Sequence, residues 1–393
     1  MRAGRSTLGL WLPLLAGTVL LVSSCRNGAP ALETRRWDVQ LDLSMGESVE
    51  EFSSFAASPD GRWVVAAKRV GERGLAVIDT QERVATTRAD AILLTDQWPL
   101  IRDAGSHRVE DLASGGVYDL GDPDTRVDRL TRYTFRAASS GVLVRLARDG
   151  GGGWSFLDVF TPGHTGPVWR KDLAHLTSGL AIASDGSLVF ATTETESERY
   201  DTLLALRATD GEVVWAQPLD LGVSGLSRGA APLLVSSDGA HVLVRGQRGE
   251  GAASRSVAQV RSVKDGSLEA EIPLRGNSAT EMLDTHSHAA FDSRHLWWFY
   301  FTRSTSGGGH VVFPVAGDGG EHTYCTLQTY DVARSALTRS VEGSDVASLL
   351  GGKTGSDPCS VRALLPLAGG EVLAVVASAL DRFEFRLLQH APR

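Results

Sequence analysis

Residues 203–215 read LLALRATDGEVVW, two apolar runs separated by the pair Asp210-Gly211. Asp-Gly suits a tight hairpin because glycine adopts positive φ without steric cost. A second hairpin centred on Asp185-Gly186 precedes this one. Together they predict a unit of four antiparallel strands, A to D, at Gly179–Ser184, Ser187–Thr192, Asp201–Arg207 and Glu212–Gln217.

The four-strand unit recurs along the chain. Asp185 and Asp238 lie 53 residues apart, and Asp210 and Asp265 lie 55 apart. Such a period is typical of propeller blades. We therefore predict an all-β protein with a single β-propeller of seven blades, and the length of the sixth unit leaves eight open. The units are 52–87, 88–121, 130–173, 176–221, 230–275, 285–341 and 346–390.

The last unit contains only three obvious strands. Its fourth is predicted at Arg36–Leu43, near the other end of the chain. Pairing the two ends would close the ring and remove the open edge of the sheet.

Two stretches resemble known propeller repeats. SPDGRWVV at 58–65 resembles the strand-turn signature of WD40-like and TolB-type repeats. LLALRATDGEVVW resembles the pyrroloquinoline-quinone-type repeat, in which Gly and Trp lie four apart, and Asp158–Trp169 is a looser copy. The resemblance implies the fold and not an activity. Quinoprotein dehydrogenases have an adjacent-cysteine disulfide, which this chain lacks, so no cofactor is expected.

The first residues predict an export signal. Arg2 and Arg5 precede an apolar run at Leu8–Val22, too short to span a bilayer. Val22-Ser23-Ser24-Cys25 resembles the lipobox of bacterial lipoproteins, which implies cleavage before Cys25 and its acylation. An ordinary secretory signal with a chance cysteine is the alternative. The expected organisation is a signal peptide at 1–24, a lipidated tether at 25–35 and the propeller at 36–390.

The net charge and the predicted lipid anchor indicate which partners and which location to expect. The net charge is −8 and no run of Lys or Arg stands out, so a nucleic-acid partner is not expected. We expect a monomer anchored in the cell envelope, on the periplasmic side of the outer membrane, with surface display as the alternative.

Two cysteines remain if Cys25 carries lipid. In an exported chain, Cys325 and Cys359 predict one disulfide. Two free thiols are the alternative.

Five of the ten histidines lie between 286 and 322. His286 and His288 alternate on the predicted strand A of the sixth unit, and His322 lies in the next long loop. With Asp284 nearby, imidazoles in this arrangement can bind a transition metal. The alternative is a polar lining without metal.

The predicted loops divide into two faces. A–B and C–D turns are tight and share one face, whereas B–C loops lie on the other and are long at Thr193–Tyr200, Gly246–Ser254 and Arg303–His322. Binding residues concentrate on loops held by a rigid scaffold. We therefore expect a non-catalytic scaffold whose B–C face binds an envelope protein or polymer. The alternatives are a metal-assisted hydrolase or lyase, and a module for small ligands or sugars.

Overall fold

The computed structural model describes the β-sheet framework of the chain. The described residues are 32–40, 52, 54–68, 70–121, 132–148, 155–173, 177–194, 199–222, 233–249, 255–274, 288–291, 295–304, 322–342, 361–367, 371–379 and 382–390. Every element within these ranges is a β-strand, paired antiparallel with its neighbours. Among these residues, no helix has the length and apolar character needed to cross a membrane.

The strands form seven blades, each of four strands lettered A to D from the axis outward. The first strand of the chain is β1 (Leu32–Gln40), which belongs to the last blade. Blades one and two contain β2 (Ser54–Ala57), β3 (Trp63–Ala67), β4 (Arg73–Asp79), β5 (Val84–Leu93), β6 (Leu100–Asp103), β7 (Arg108–Asp111) and β8 (Val117–Asp119). Blade three contains β9 (Arg132–Ala137), β10 (Leu143–Arg148), β11 (Ser155–Phe160) and β12 (Trp169–Leu173).

The remaining strands follow the same plan. Blade four contains β13 (Thr177–Ile182), β14 (Leu188–Glu194), β15 (Arg199–Arg207) and β16 (Val213–Gly222). Blade five contains β17 (Leu233–Val235), β18 (His241–Arg248), β19 (Arg255–Ser262) and β20 (Leu268–Pro273). Blade six contains β21 (His288–Phe291), β22 (His295–Ser304), β23 (His322–Asp331) and β24 (Ala336–Glu342), and blade seven adds β25 (Val361–Pro366), β26 (Val372–Ala379) and β27 (Arg382–His390).

Strand A of each blade lies nearest the axis. Strands β9, β13, β17, β21, β25 and β2 contact one another in that order. Blade two takes its strand A from the end of β5. The first half of β5 pairs with β4, and Ala91–Leu93 pairs with β6. One strand therefore serves two blades, and the predicted boundary between residues 87 and 88 lies inside it.

The ring closes as predicted. β1 pairs antiparallel with β27 along its whole length, from Leu32 opposite His390 to Gln40 opposite Arg382. The closing strand begins earlier than the predicted Arg36–Leu43, at Leu32, and residues 41–43 lie outside the described residues. It starts inside the segment assigned to the tether.

Apolar side chains fill the seams between blades. Between blades seven and one, Phe383 meets Phe52 and Phe55 edge to face, with ring centroids 6.0 and 5.4 Å apart. Similar clusters join the blades from one through six, each built from side chains of two neighbouring blades. Alternation along each strand sends successive side chains to opposite seams, which produces this layered core.

The predicted Asp-Gly turns adopt the expected backbone. Gly61, Gly186 and Gly239 in A–B turns, and Gly211 and Gly266 in C–D turns, all have positive φ. The B–C connections, at the other end of the blades, differ from the prediction. β18 continues to Arg248, so Gly246–Arg248 is strand and not loop, whereas residues 195–198, 250–254 and 305–321 lie outside the described residues.

Removing the Phe383 ring should weaken ring closure. Phe383→Ala deletes a fully buried ring shared by the first and last blades, so we expect a loss of about 3–5 kcal/mol in unfolding free energy. Urea unfolding followed by tryptophan fluorescence measures it. Leu268→Ala, at a position that is 49% exposed, is the matched control and should change stability by less than about 0.5 kcal/mol. Equal effects would contradict the role of this seam.

Candidate functional site

The described strands include two of the three histidines that were predicted to bind a metal. His288 begins β21 opposite Phe299, and His322 begins β23 opposite Ser304. His322 lies at the B–C end of blade six, whereas His288 lies opposite the middle of β22 and His295 lies at the A–B end. His286 and Asp284 lie outside the described residues. Within the described ranges, no group of three or more His, Cys, Asp or Glu side chains is placed to hold a metal ion. The metal site therefore stays a prediction.

The predicted disulfide and acylation site are likewise untested. Cys325 lies in β23 opposite Phe301, close to the B–C end. Cys359 and Cys25 lie outside the described residues. Both assignments stay predictions.

A polar cluster near the axis involves three neighbouring blades. Arg136, in strand A of blade three, donates from Nε to the Leu180 carbonyl of blade four at 3.0 Å. Its Nη1 donates to Thr95 Oγ1 of blade two, also at 3.0 Å, and to the Phe135 carbonyl. Arg136 is 8% exposed, so these bonds satisfy a buried guanidinium and fix the relative position of three inner strands.

Asp96 supplies the opposite charge beside this cluster. Solvent reaches its side chain, but protein surrounds its other sides. This desolvation raises the pKa of Asp96, while the nearby Arg136 opposes the rise. In turn, desolvation lowers the pKa of Arg136 to about 10, and the charge of Asp96 opposes that fall. The pair lies at the A–B end of the inner strands.

A second charged group fills the seam between blades two and three, midway along the strands. Asp158 is fully buried and accepts hydrogen bonds from two arginines. Arg145 donates from Nε at 3.0 Å and from Nη2 at 2.6 Å, and Arg170 donates from Nε at 2.6 Å and from Nη2 at 3.0 Å. The Arg145 guanidinium also stacks on Phe160, 5.1 Å from the ring centroid. One carboxylate thus holds two cations, which leaves net positive charge in the seam.

Arg102 adds a third guanidinium to this seam. Its Nε is buried and has no hydrogen-bond partner in the described part of the chain. Desolvation lowers the pKa of Arg102, the neighbouring Tyr133 raises it, and Arg145 lowers it further. A buried Nε–H without an acceptor, next to a second guanidinium, favours an anionic group such as a carboxylate or phosphate.

Sequence reasoning missed both arginine groups. The residues of the first group come from different blades, and no linear motif relates Asp96, Arg136 and Leu180. Those of the second group lie on three adjacent strands of blade three, where their meeting depends on the strand register. The available signal was an arginine inside an otherwise apolar strand, as in RYTFRA of β9 and LVRLAR of β10. Charged residues are seldom buried unless they are paired, so such positions mark polar contacts between blades.

Comparisons with known proteins extend the fold description. No family model and no curated protein matches this chain. Among solved structures, the WD40 domain of Toxoplasma gondii coronin is 11% identical over 93% of this chain and 88% of its own, with a TM-score of 0.48. A chain of the mitotic checkpoint complex is 12% identical over 98% of this chain and 99% of its own, with a TM-score of 0.44. The dihydro-heme d1 dehydrogenase NirN, in complex with DHE, is 14% identical over 76% of this chain and 69% of its own, with a TM-score of 0.38.

The raised pKa of Asp96 predicts a pH-dependent effect of its replacement. Between the ordinary and the raised pKa, the folded state binds more protons than the unfolded state, so stability falls as pH rises through that window. Asp96→Asn removes this cost. The variant should therefore be more stable than the original protein at pH 7.5, and this gain should shrink near pH 4. Urea unfolding at the two pH values measures it.

The control for Asp96→Asn is Glu82→Gln, which alters an exposed carboxyl in a C–D turn. A stabilisation by Asp96→Asn that is the same at both pH values would contradict the desolvation of this carboxyl.

Proposed function

We propose that this protein is a cell-envelope lipoprotein whose β-propeller is a non-catalytic scaffold. Acyl chains on Cys25 hold it in the membrane, on the periplasmic side of the outer membrane. The face with the B–C connections binds an envelope protein or polymer. The protein acts as a monomer.

The direction of β1 carries this proposal. β1 is strand D of blade seven, and its first residue, Leu32, lies opposite His390 at the far end of β27. β27 leaves the B–C turn of its blade at Arg382, so His390 and Leu32 lie at the A–B end. The segment that leads to Cys25 therefore leaves the propeller at the A–B face, and the B–C connections point away from the anchor.

The distance from the anchor supports the same arrangement. Leu32 follows Cys25 by seven residue steps, with six residues between them. A fully extended chain of that length spans at most about 25 Å. An anchored Cys25 would keep the A–B face close to the bilayer, while the B–C face would meet soluble partners and polymers without hindrance.

The rigidity of the ring supports a scaffold. Blades are joined by apolar seams and by polar contacts such as those of Arg136. Loops on such a frame keep fixed relative positions, which lowers the entropy cost of binding. Arg102 lies next to last in β6, near the B–C end, and its positive charge favours an acidic partner.

Replacing Cys25 tests the anchor. Each buried CH₂ of an acyl chain contributes about 0.8 kcal/mol to membrane binding, so loss of the chains should release the protein. We expect Cys25→Ser to move the protein from the membrane fraction to the soluble fraction after a high-salt wash. Mass spectrometry of the N-terminal peptide should show acyl chains on the original protein. Cys325→Ser, the matched cysteine control, should stay in the membrane fraction.

Site-specific photo-crosslinking in cells tests the binding face. A photoreactive residue at Val70 or His107, in B–C connections, should capture one envelope protein or polymer. The same residue at Ser140 or Ser184, in A–B turns, should capture none. Charge or bulk substitutions within residues 250–254 and 305–321 should abolish the capture. Capture from the A–B positions alone would contradict the proposed face.

A further inference from the structure

The exposed apolar side chains of the propeller are unevenly distributed. Eight large hydrophobic side chains are exposed in the described part of the chain, and only Val70 and Tyr133 lie elsewhere than at the start of a strand D. The other six are Val84, Val117, Val168, Val213, Val214 and Leu268. They are between 42% and 55% exposed. We call them the D-strand rim.

The rim residues occupy equivalent positions in successive blades. Val117, Val213 and Leu268 each follow a C–D turn directly, opposite Glu110, Leu206 and Arg261 of the preceding strand. Val84 and Val168 lie at the start of strand D in blades one and three. Because C–D turns share the A–B face, the D-strand rim follows the outer edge of that face through five consecutive blades.

The anchor segment leaves the molecule at the same edge. Leu32 begins strand D of blade seven, at the same end of its strand as the rim residues. Blade seven is adjacent to blade one, whereas blades three and four lie across the ring from it. The rim therefore extends from beside the anchor to the opposite side of the propeller.

We propose that the D-strand rim rests on the lipid bilayer, so that the A–B face of the propeller lies flat on the membrane. This inference rests on the proposed acylation of Cys25. The rim residues are separate points around a circumference and form no common groove. A planar apolar layer is the partner that meets all of them at once.

The turns beside the rim carry charges of both signs. Arg83 precedes Val84 and Lys264 lies in the turn before Leu268, whereas Asp210, Glu212 and Asp265 are exposed in C–D turns. Cationic side chains extend towards lipid phosphates while the neighbouring aliphatic groups enter the acyl boundary. The acidic side chains oppose contact with anionic lipids, so the apolar contact of the rim must outweigh this repulsion.

Fluorescent labels on the acylated full-length protein test the arrangement. Single cysteines at Val84, Val168, Val213 and Leu268 would carry an environment-sensitive label, and Val70→Cys on the B–C face is the matched valine control. The unsubstituted protein, labelled in parallel, corrects for reaction at native cysteines. The proteins are reconstituted in phosphatidylethanolamine–phosphatidylglycerol vesicles that contain lipids with nitroxide quenchers at the head-group level. Because an apolar face at an interface inserts about 5–10 Å, rim labels should be quenched at least about twofold more than the Val70 label.

The labels on the side of the ring opposite the anchor distinguish the outcomes. Quenching at Val168 and Val213, in the blades opposite the anchor, would establish the flat arrangement. Quenching at Val84 alone would mean mere proximity to the anchor and would overturn it. A spectral blue shift at the rim without lipid quenching would mean that protein, such as a second copy of this chain, covers the rim.

Acylation of Cys25 is measured separately, on the N-terminal peptide. An N-terminal peptide without acyl chains, on protein that stays soluble, would refute the proposed lipoprotein and the rim contact together. Acylated protein with equal quenching at the rim and at Val70 would refute the rim contact alone.

Discussion

The backbone ladder between β1 and β27 is the interaction on which the rest of the structure depends. Each blade buries its two sheet faces only against neighbours, so an open ring would expose the seam of Phe52, Phe55 and Phe383 and an unpaired edge. Closing the ring with strands from both ends of the chain removes that edge. The same pairing also orients the molecule. Because β1 runs antiparallel to β27, the segment before Leu32 must leave at the A–B face.

A second interaction explains why Gly and Trp recur together in the repeat. The Trp169 indole donates to the Ala208 carbonyl of the next blade at 2.7 Å, and Trp215 donates to Val263 at 2.9 Å. Each indole ring packs on the turn glycine of that blade, where a Cβ at Gly211 or Gly266 would come within about 3 Å of the ring. The glycine of one repeat therefore receives the tryptophan of the preceding repeat. The motif reflects contact between blades and indicates the fold without indicating a function.

The hairpins and blades were predicted well from the sequence, because the residues that specify them lie close together in the chain. Asp-Gly turns and short apolar runs specify hairpins, and hairpins in series specify blades. The shared strand β5 escaped prediction, since its two halves pair with different partners and no turn residue separates them. Strands at the B–C end, such as β18, are longer than predicted because ladder pairing continues through polar residues. The Arg136 group depends on side chains from three blades that only the ring brings together, whereas the Asp158 group depends on the register of three adjacent strands within blade three.

The two ends of the propeller therefore differ in ways that suit different surroundings. At the A–B end, turns are short and hydrogen-bonded internally, as where Ser58 and Asp60 cap the turn before Trp63, and Ser236 and Asp238 repeat the arrangement. Such turns expose little that is adaptable, and the D-strand rim encircles them. At the B–C end, Arg102 lies next to last in β6 and contributes a cationic side chain whose buried Nε has no hydrogen-bond partner in the described part of the chain. The direction of β1 places the residue that precedes Leu32 at the A–B end, so the proposed anchor on Cys25 would bring that end to the membrane and leave the B–C end for a partner.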